Sequence, residues 1–161
     1  ARRFVHALTP PDLERGSLAG ALERLCARTA GPPAVRFSVS GSPAALPTPY
    51  EVALLRIAQS ALGNTLRHAR AGRVEITLSF MDTAVALDVV DDGVGFVPDA
   101  VPAAVGGGGV AAGGAAAGGF GLPAMCSRAT ALGGTLTVES APGQGTAVAV
   151  TLPRPEPRSA V

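Results

Sequence analysis

The chain has no lysine among its 161 residues. That absence excludes the P-loop, whose motif lysine reaches the phosphates of a bound nucleotide. Its 13 basic residues are all arginine and face 12 acids, a net charge of +1. So even a balance, with no run of basic residues, gives no basis for nucleic-acid binding through bulk charge. Alanine, glycine, proline and arginine abound and share GC-rich codons, so a high-GC bacterial source is expected, and the missing lysine follows from genome composition. Two cysteines, Cys26 and Cys126, make neither a metal-ligand spacing nor a disulfide framework. They read as inert thiols, which pack as small hydrophobes. No apolar run approaches the roughly 20 residues of a membrane span, and no signal peptide is visible. The expected location is cytoplasmic, with no direct membrane contact for this domain even if a larger parent protein is membrane-anchored.

A chain of this length is most simply one domain with a real core. Residues 1–8 have helical character, and Thr9-Pro10-Pro11 stops them, because proline disfavours helix at the residue before it. They read as the tail of a preceding helix. Ser17 can cap a helix running to about Thr29. Val35, Phe37 and Val39 alternate with polar residues as in a half-buried strand. Glu51 to about Ala69 is the strongest helix. At about 100° per residue, Leu55, Ala58, Leu62, Thr65, Leu66 and Ala69 fall on one side, and Ser60, Gly63, Asn64 and Arg67 on the other, with His68 at its margin. Strands follow over about 73–80 and 83–90, joined at Met81-Asp82. Residues 97–118 have no hydrophobic period and hold four successive glycines, Gly106 to Gly109; a stretch that long reads as a lid. A short helix over 123–132 and strands over 135–140 and 146–152 complete the chain, and the proline-rich tail beyond is expected to fray. Two layers follow, a mixed, mostly antiparallel sheet with about three helices on one face, an α/β (α+β) sandwich.

Against this frame one stretch stands out. Asp91-Asp92-Gly93-Val94-Gly95-Phe96 follows an apolar strand. A carboxylate at a strand end can accept from an exocyclic amine such as adenine's, and Gly93 and Gly95 permit close approach and unusual backbone angles. An acidic turn is the plainer reading of this stretch taken alone. Asn64 is the only asparagine and sits in mid-helix, where its type is below average; its oxygen suits Mg²⁺ and its amide can donate to phosphate. Arg67 and His68 lie one turn on, where a helix C-terminus also favours them. Gly119-Phe120-Gly121-Leu122 opens the helix at Pro123, and amides at a helix start cradle anions. Gly119 to Ala124 also matches a dinucleotide fingerprint, but a Gly/Ala tract stands where that fingerprint needs a strand. Gly145-Thr146 can close a pocket with a hydroxyl, or be a plain turn.

Taken in order, these motifs resemble the ATP-binding catalytic domain of bacterial sensor histidine kinases, in the GHKL superfamily that includes gyrase. The phrases Leu55-Arg56-Ile57-Ala58-Gln59, Asn64-Thr65-Leu66-Arg67-His68-Ala69, the turn at Asp91, Gly119 to Met125 and Ala131-Leu132-Gly133-Gly134-Thr135-Leu136 are similar to the nitrate-sensor/DesK-type subfamily. The resemblance covers residues 3–153. It implies the Bergerat ATP-binding fold, with 1–12 as the end of a dimerisation helix and linker, 13–153 as the catalytic domain with its lid at 97–118, and 154–161 as a tail. It implies ATP and Mg²⁺ as cofactors. By that likeness Asp91 reads the adenine amine with Thr146 supporting it through water, Asn64 holds Mg²⁺, Arg67 and His68 approach the phosphates, and Gly119 and Gly121 anchor the lid and donate backbone N–H groups. Gly93, Gly95, Phe120 and Leu122 complete the nucleotide-binding set. The implied reaction is transfer of the ATP γ-phosphoryl group to a histidine on the parent's dimerisation domain. The implied partners are that domain, in a homodimer, and a cognate response regulator.

Two departures stand against the family pattern. Ser60 occupies the position four before the asparagine where the subfamily usually has glutamate, which removes a carboxylate near the metal. Pro123 replaces a residue that is often arginine or polar. The phosphoacceptor is not expected in this chain: His6 lies at a helix end before the Pro-Pro linker, and His68 belongs to the pocket. The fragment is therefore expected to bind ATP without phosphorylating itself. The competing expectation is a nucleotide-binding module that has lost transfer chemistry and serves as a regulatory or interaction domain.

Overall fold

The computed structural model describes residues 17–29, 33–97 and 121–154, with the side chains of His68 and Ala69 excluded. His6, the expected linker, most of the expected lid at 97–118, Gly119, Phe120 and the tail from 155 onward lie outside the described residues.

Three α-helices and a five-stranded sheet make up the described chain. Helix α1 spans Leu18–Ala27 and starts where sequence chemistry predicts, with Ser17 as the cap accepting from the Gly20 amide at 3.1 Å. Strand β1 is Ala34–Ser40, helix α2 Thr48–Asn64, β2 Arg73–Phe80, β3 Ala84–Asp91, helix α3 Leu122–Ala131, β4 Thr135–Ser140 and β5 Thr146–Pro153. The strand order is β1-β2-β3-β5-β4. Only the β1–β2 pairing is parallel. The sheet is thus mixed and mostly antiparallel, as expected.

Alternation along the strands explains the two layers. In β2, Val74, Ile76 and Leu78 are buried while Arg73 and Glu75 are exposed. In β3, Val85, Leu87 and Val89 take the same side, and Val148, Val150 and Leu152 take it in β5. The helices supply Leu22, Leu54, Leu55, Ile57 and Met125, each no more than 1% exposed. Burying one such side chain contributes about 1.5–3 kcal/mol, so this aliphatic layer dominates the favourable side of folding.

The second helix departs from its expected form at both ends. It begins three residues earlier, at Thr48, because Pro49 fits the first turn. Its last turn widens to a π-helix over Thr65–Ala69 and stops at Arg70, which adopts the left-handed conformation (φ 51°, ψ 39°). The widening overturns one expectation. A uniform 3.6-residue period places Leu66 with Leu62 on the buried side, yet Leu66 is 48% exposed. The added residue per turn rotates it outward while Thr65 remains buried at 4%. Single π-turns of this kind often sit at functional sites.

Candidate functional site

Strand parity decides where Asp91 points. It continues the series Val85, Leu87, Val89 and so faces the helices rather than solvent, at 8% exposure. A carboxylate in that position needs hydrogen bonds. Its Oδ1 accepts from the Gly93 amide at 2.8 Å, and its Oδ2 accepts from the Thr65 hydroxyl at 3.0 Å. The next residue, Asp92, has the opposite parity and is exposed. Its Oδ1 accepts from the Arg73 amide at 2.9 Å and the Gly72 amide at 2.8 Å, and these bonds hold its carboxyl below the usual carboxylate range. Adjacent acids therefore have separate tasks: Asp92 ties the start of β2 to the end of β3, and Asp91 faces the interior.

Two glycines let the chain close around Asp91. A Cβ on Gly95 (φ 69°) would lie 2.0 Å from the Ala141 carbonyl oxygen. A Cβ on Gly145 (φ 77°) would lie 2.2 Å from the carbonyl oxygen of Asp91. Only glycine tolerates both the angles and the approach. Between them, Ser140 ties the segment after β3 to the β4–β5 turn. Its Oγ accepts from the Phe96 amide at 2.8 Å, donates to the Gly145 carbonyl at 2.8 Å, and lies 2.9 Å from Thr146 Oγ1.

These elements enclose a cleft. Asn64, Thr65, Asp91 and Thr146 supply polar groups to its wall. Val89, Val148, Leu122 and Phe96 supply apolar surface. An apolar slot with a few fixed polar groups is the form of a small-molecule site. Helix α3 reaches the cleft through Leu122, immediately after Gly121, which caps the helix in the left-handed conformation (φ 62°). Pro123 occupies the first turn of that helix.

Of the residues singled out in the sequence, Asn64, Asp91, Gly95, Leu122 and Thr146 line this one cleft. Gly93 is buried beside it, bonded to Asp91, and Gly121 adjoins it. Arg67 and Ser60 are exposed on α2 and its π-turn, outside the lining. Arg67 donates to Asn64 Oδ1 at 3.3 Å. The His68 side chain, Gly119 and Phe120 are not described. Sequence reasoning missed Thr65 and Ser140 as site residues. A threonine on the apolar side of a helix beside the chain's only asparagine was a usable signal for the first. Nothing local marked the second.

The described residues hold no group of three or more His, Cys, Asp or Glu able to bind a metal by themselves. Asn64 Oδ1 is a single hard oxygen at the cleft wall. Such a donor set suits a Mg²⁺ that keeps most of its shell as water and ligand oxygens, which is that ion's habit with phosphates.

Fold and cleft together define an α/β sandwich with a largely apolar cleft between the sheet and the helix ends. Residues 50–156 match the family of histidine kinase-, DNA gyrase B-, and HSP90-like ATPases, and the chain belongs to that family. It is 35% identical over 100 residues to the sensor histidine kinase LiaS of Bacillus subtilis, a match covering 62% of this chain and 24% of that one. It is 31% identical over 144 residues to the nitrate/nitrite sensor protein NarX of Escherichia coli, covering 89% of this chain and 21% of that one. The structure of full-length ShkA in complex with AMPPNP is similar at a TM-score of 0.58 and 25% identity, covering 89% of this chain and 30% of ShkA. The match thus spans less than a quarter of the length of the two curated kinases.

Proposed function

We propose that this chain is the ATP-binding catalytic domain of a two-component sensor histidine kinase, and that ATP binds in the cleft beside Asp91. One observation carries the reading: a buried carboxylate, fixed by Thr65 and Gly93, stands at the end of an apolar slot with Thr146 paired across the sheet from it. A carboxylate so held presents acceptor oxygens to the slot, and their complement is an amine such as the adenine 6-amine. The slot walls Val89, Val148, Leu122 and Phe96 take the ring.

The phosphate end is assigned to Asn64, Arg67, His68, Gly119 and Gly121. Asn64 Oδ1 would give the magnesium ion one protein oxygen, and the ion would neutralise phosphate charge. Arg67, which donates to Asn64 Oδ1, would place its guanidinium beside a phosphate held there. Catalysis by such a domain is positioning and charge neutralisation. The acceptor is a histidine on the parent's dimerisation domain, a response regulator receives the group afterwards, and the domain acts in the cytoplasm. Among the described residues no helix is long and apolar enough to cross a membrane.

Full-length protein given γ-labelled ATP and Mg²⁺ should acquire acid-labile, base-stable label, and Asp91→Asn in the same protein should remove it. Nucleotide binding without label would favour the module that has lost transfer chemistry, the reading that exposed Ser60 keeps in play.

A further inference from the structure

We infer that Ser140 is a specificity-positioning residue: it turns the Thr146 hydroxyl into an acceptor, so that Asp91 and Thr146 together select a 6-amino purine over a 6-oxo purine. The inference rests on the cleft being the ATP site and adds a residue that does not line it.

Ser140 Oγ lies 2.8 Å from the Gly145 carbonyl oxygen and 2.9 Å from Thr146 Oγ1. Two oxygens at such distances need a proton between them. A carbonyl has none to give, so the Ser140 proton goes to Gly145. The proton between Ser140 and Thr146 must then come from Thr146. The Phe96 amide donates to Ser140 at 2.8 Å, so Ser140 gives one bond and accepts two. Its capacity is filled, and the assignment is unique. Thr146 has spent its only proton and can offer the cleft lone pairs alone.

The same holds for the neighbours. Asp91 Oδ2 takes the proton of Thr65 at 3.0 Å, and the weaker alternative for that proton is the Ala61 carbonyl at 3.3 Å, so either way it is spent on the protein. The side-chain oxygens of Thr65, Asp91 and Thr146, all in the cleft wall, thus act as acceptors toward it. Asp91 and Thr146 are register partners on adjacent strands and face the same side. An amine with two protons can satisfy both, directly or through one water. A carbonyl at the same position faces the lone pairs of Asp91 and Thr146, a mismatch that buried polar sites reject.

The test compares ATP with inosine triphosphate, whose base carries a carbonyl in place of the 6-amine, by calorimetric titration of the whole chain. The wild type should prefer ATP. Ser140→Ala frees the Thr146 hydroxyl to donate and should lower the ATP-to-ITP preference by about three- to tenfold, the range of one net hydrogen bond. Thr146→Val should lower the preference too, and adding Ser140→Ala to it should change the ratio no further, because Ser140 acts only through that hydroxyl. A general loosening would weaken both nucleotides alike and leave the ratio in place. If Ser140→Ala does not fold, Ser140→Cys, whose thiol is a poor acceptor, gives the same comparison. An unchanged ratio in a folded Ser140 variant that binds ATP overturns the inference. Failure of the wild type to bind ATP at all overturns the ATP-site reading instead.

Discussion

The Thr65 hydroxyl donates to Asp91 Oδ2 at 3.0 Å, joining the π-turn after α2 to the end of β3. Both residues are at least nine-tenths buried, and both line the cleft. The π-turn is what keeps Thr65 inward while Leu66 turns out, so a helix irregularity and a strand-end carboxylate act as one unit. Thr65→Val preserves shape and removes the donor. It should destabilise the fold by about 1–3 kcal/mol, the cost of leaving a buried acceptor short of a partner, and weaken ATP binding. Chemical denaturation and a titration check the two effects.

Gly95 and Gly121 both have positive φ, but their surroundings differ. A Cβ at Gly95 would strike the Ala141 carbonyl, whereas at Gly121 no atom of the described residues comes within 4 Å of one. Gly121→Ala should cost about 1–2 kcal/mol for the backbone angle alone. Gly95→Ala must also push the β4–β5 turn away and should exceed 3 kcal/mol or abolish folding. Thermal melts of the two variants in parallel decide this.

Two surface carboxylates should respond to pH with opposite signs. Asp92 is depressed by the Arg73 and Gly72 amides, so its contribution is present above its unfolded value and is lost as pH falls through the folded one. Asp88, on the open face of the sheet, is raised by burial, so its ionised form disfavours folding once pH rises through the folded value. Asp92→Asn should therefore lower the denaturation midpoint at pH 7, and Asp88→Asn should raise it. The Asp88 difference should be gone below about pH 4, whereas the Asp92 difference should fade only at lower pH, as pH falls through its depressed folded value.

Ser60 is exposed one turn before Asn64, at the position where the family resemblance leads us to expect glutamate. Ser60→Glu should place a carboxylate near the proposed magnesium and strengthen Mg²⁺-dependent ATP affinity by about three- to tenfold, with little change in the absence of the metal. Equal affinity for ATP in the two proteins at saturating Mg²⁺ contradicts a role for this position in metal binding.

The sequence made the layers readable because strand parity is local. Val74, Ile76 and Leu78 alternate with Arg73, Glu75 and Thr77, and that pattern alone sets the buried side. The start of α1 was readable for a similar reason, since Ser17 caps the helix that follows it at once. Leu66 was misplaced because a π-turn changes the helical period without a residue to mark it. The need for glycine at Gly95 and Gly145 comes from contacts between distant segments, 46 residues apart in the case of Gly95 and Ala141. Ser140 looked like an ordinary strand end, because its importance lies in three partners brought by the β4–β5 turn and the segment after β3.

The central claim is that Asp91 reads the amine of a bound adenine nucleotide. Calorimetric titration of ATP into the chain and into Asp91→Asn, each with and without Mg²⁺, addresses it most directly. The account predicts binding by the wild type, stronger with Mg²⁺, and a loss of at least about tenfold in Asp91→Asn, as befits a buried charged acceptor. Wild-type affinity retained by a folded Asp91→Asn, or no binding of ATP by the wild type under either condition, would contradict it.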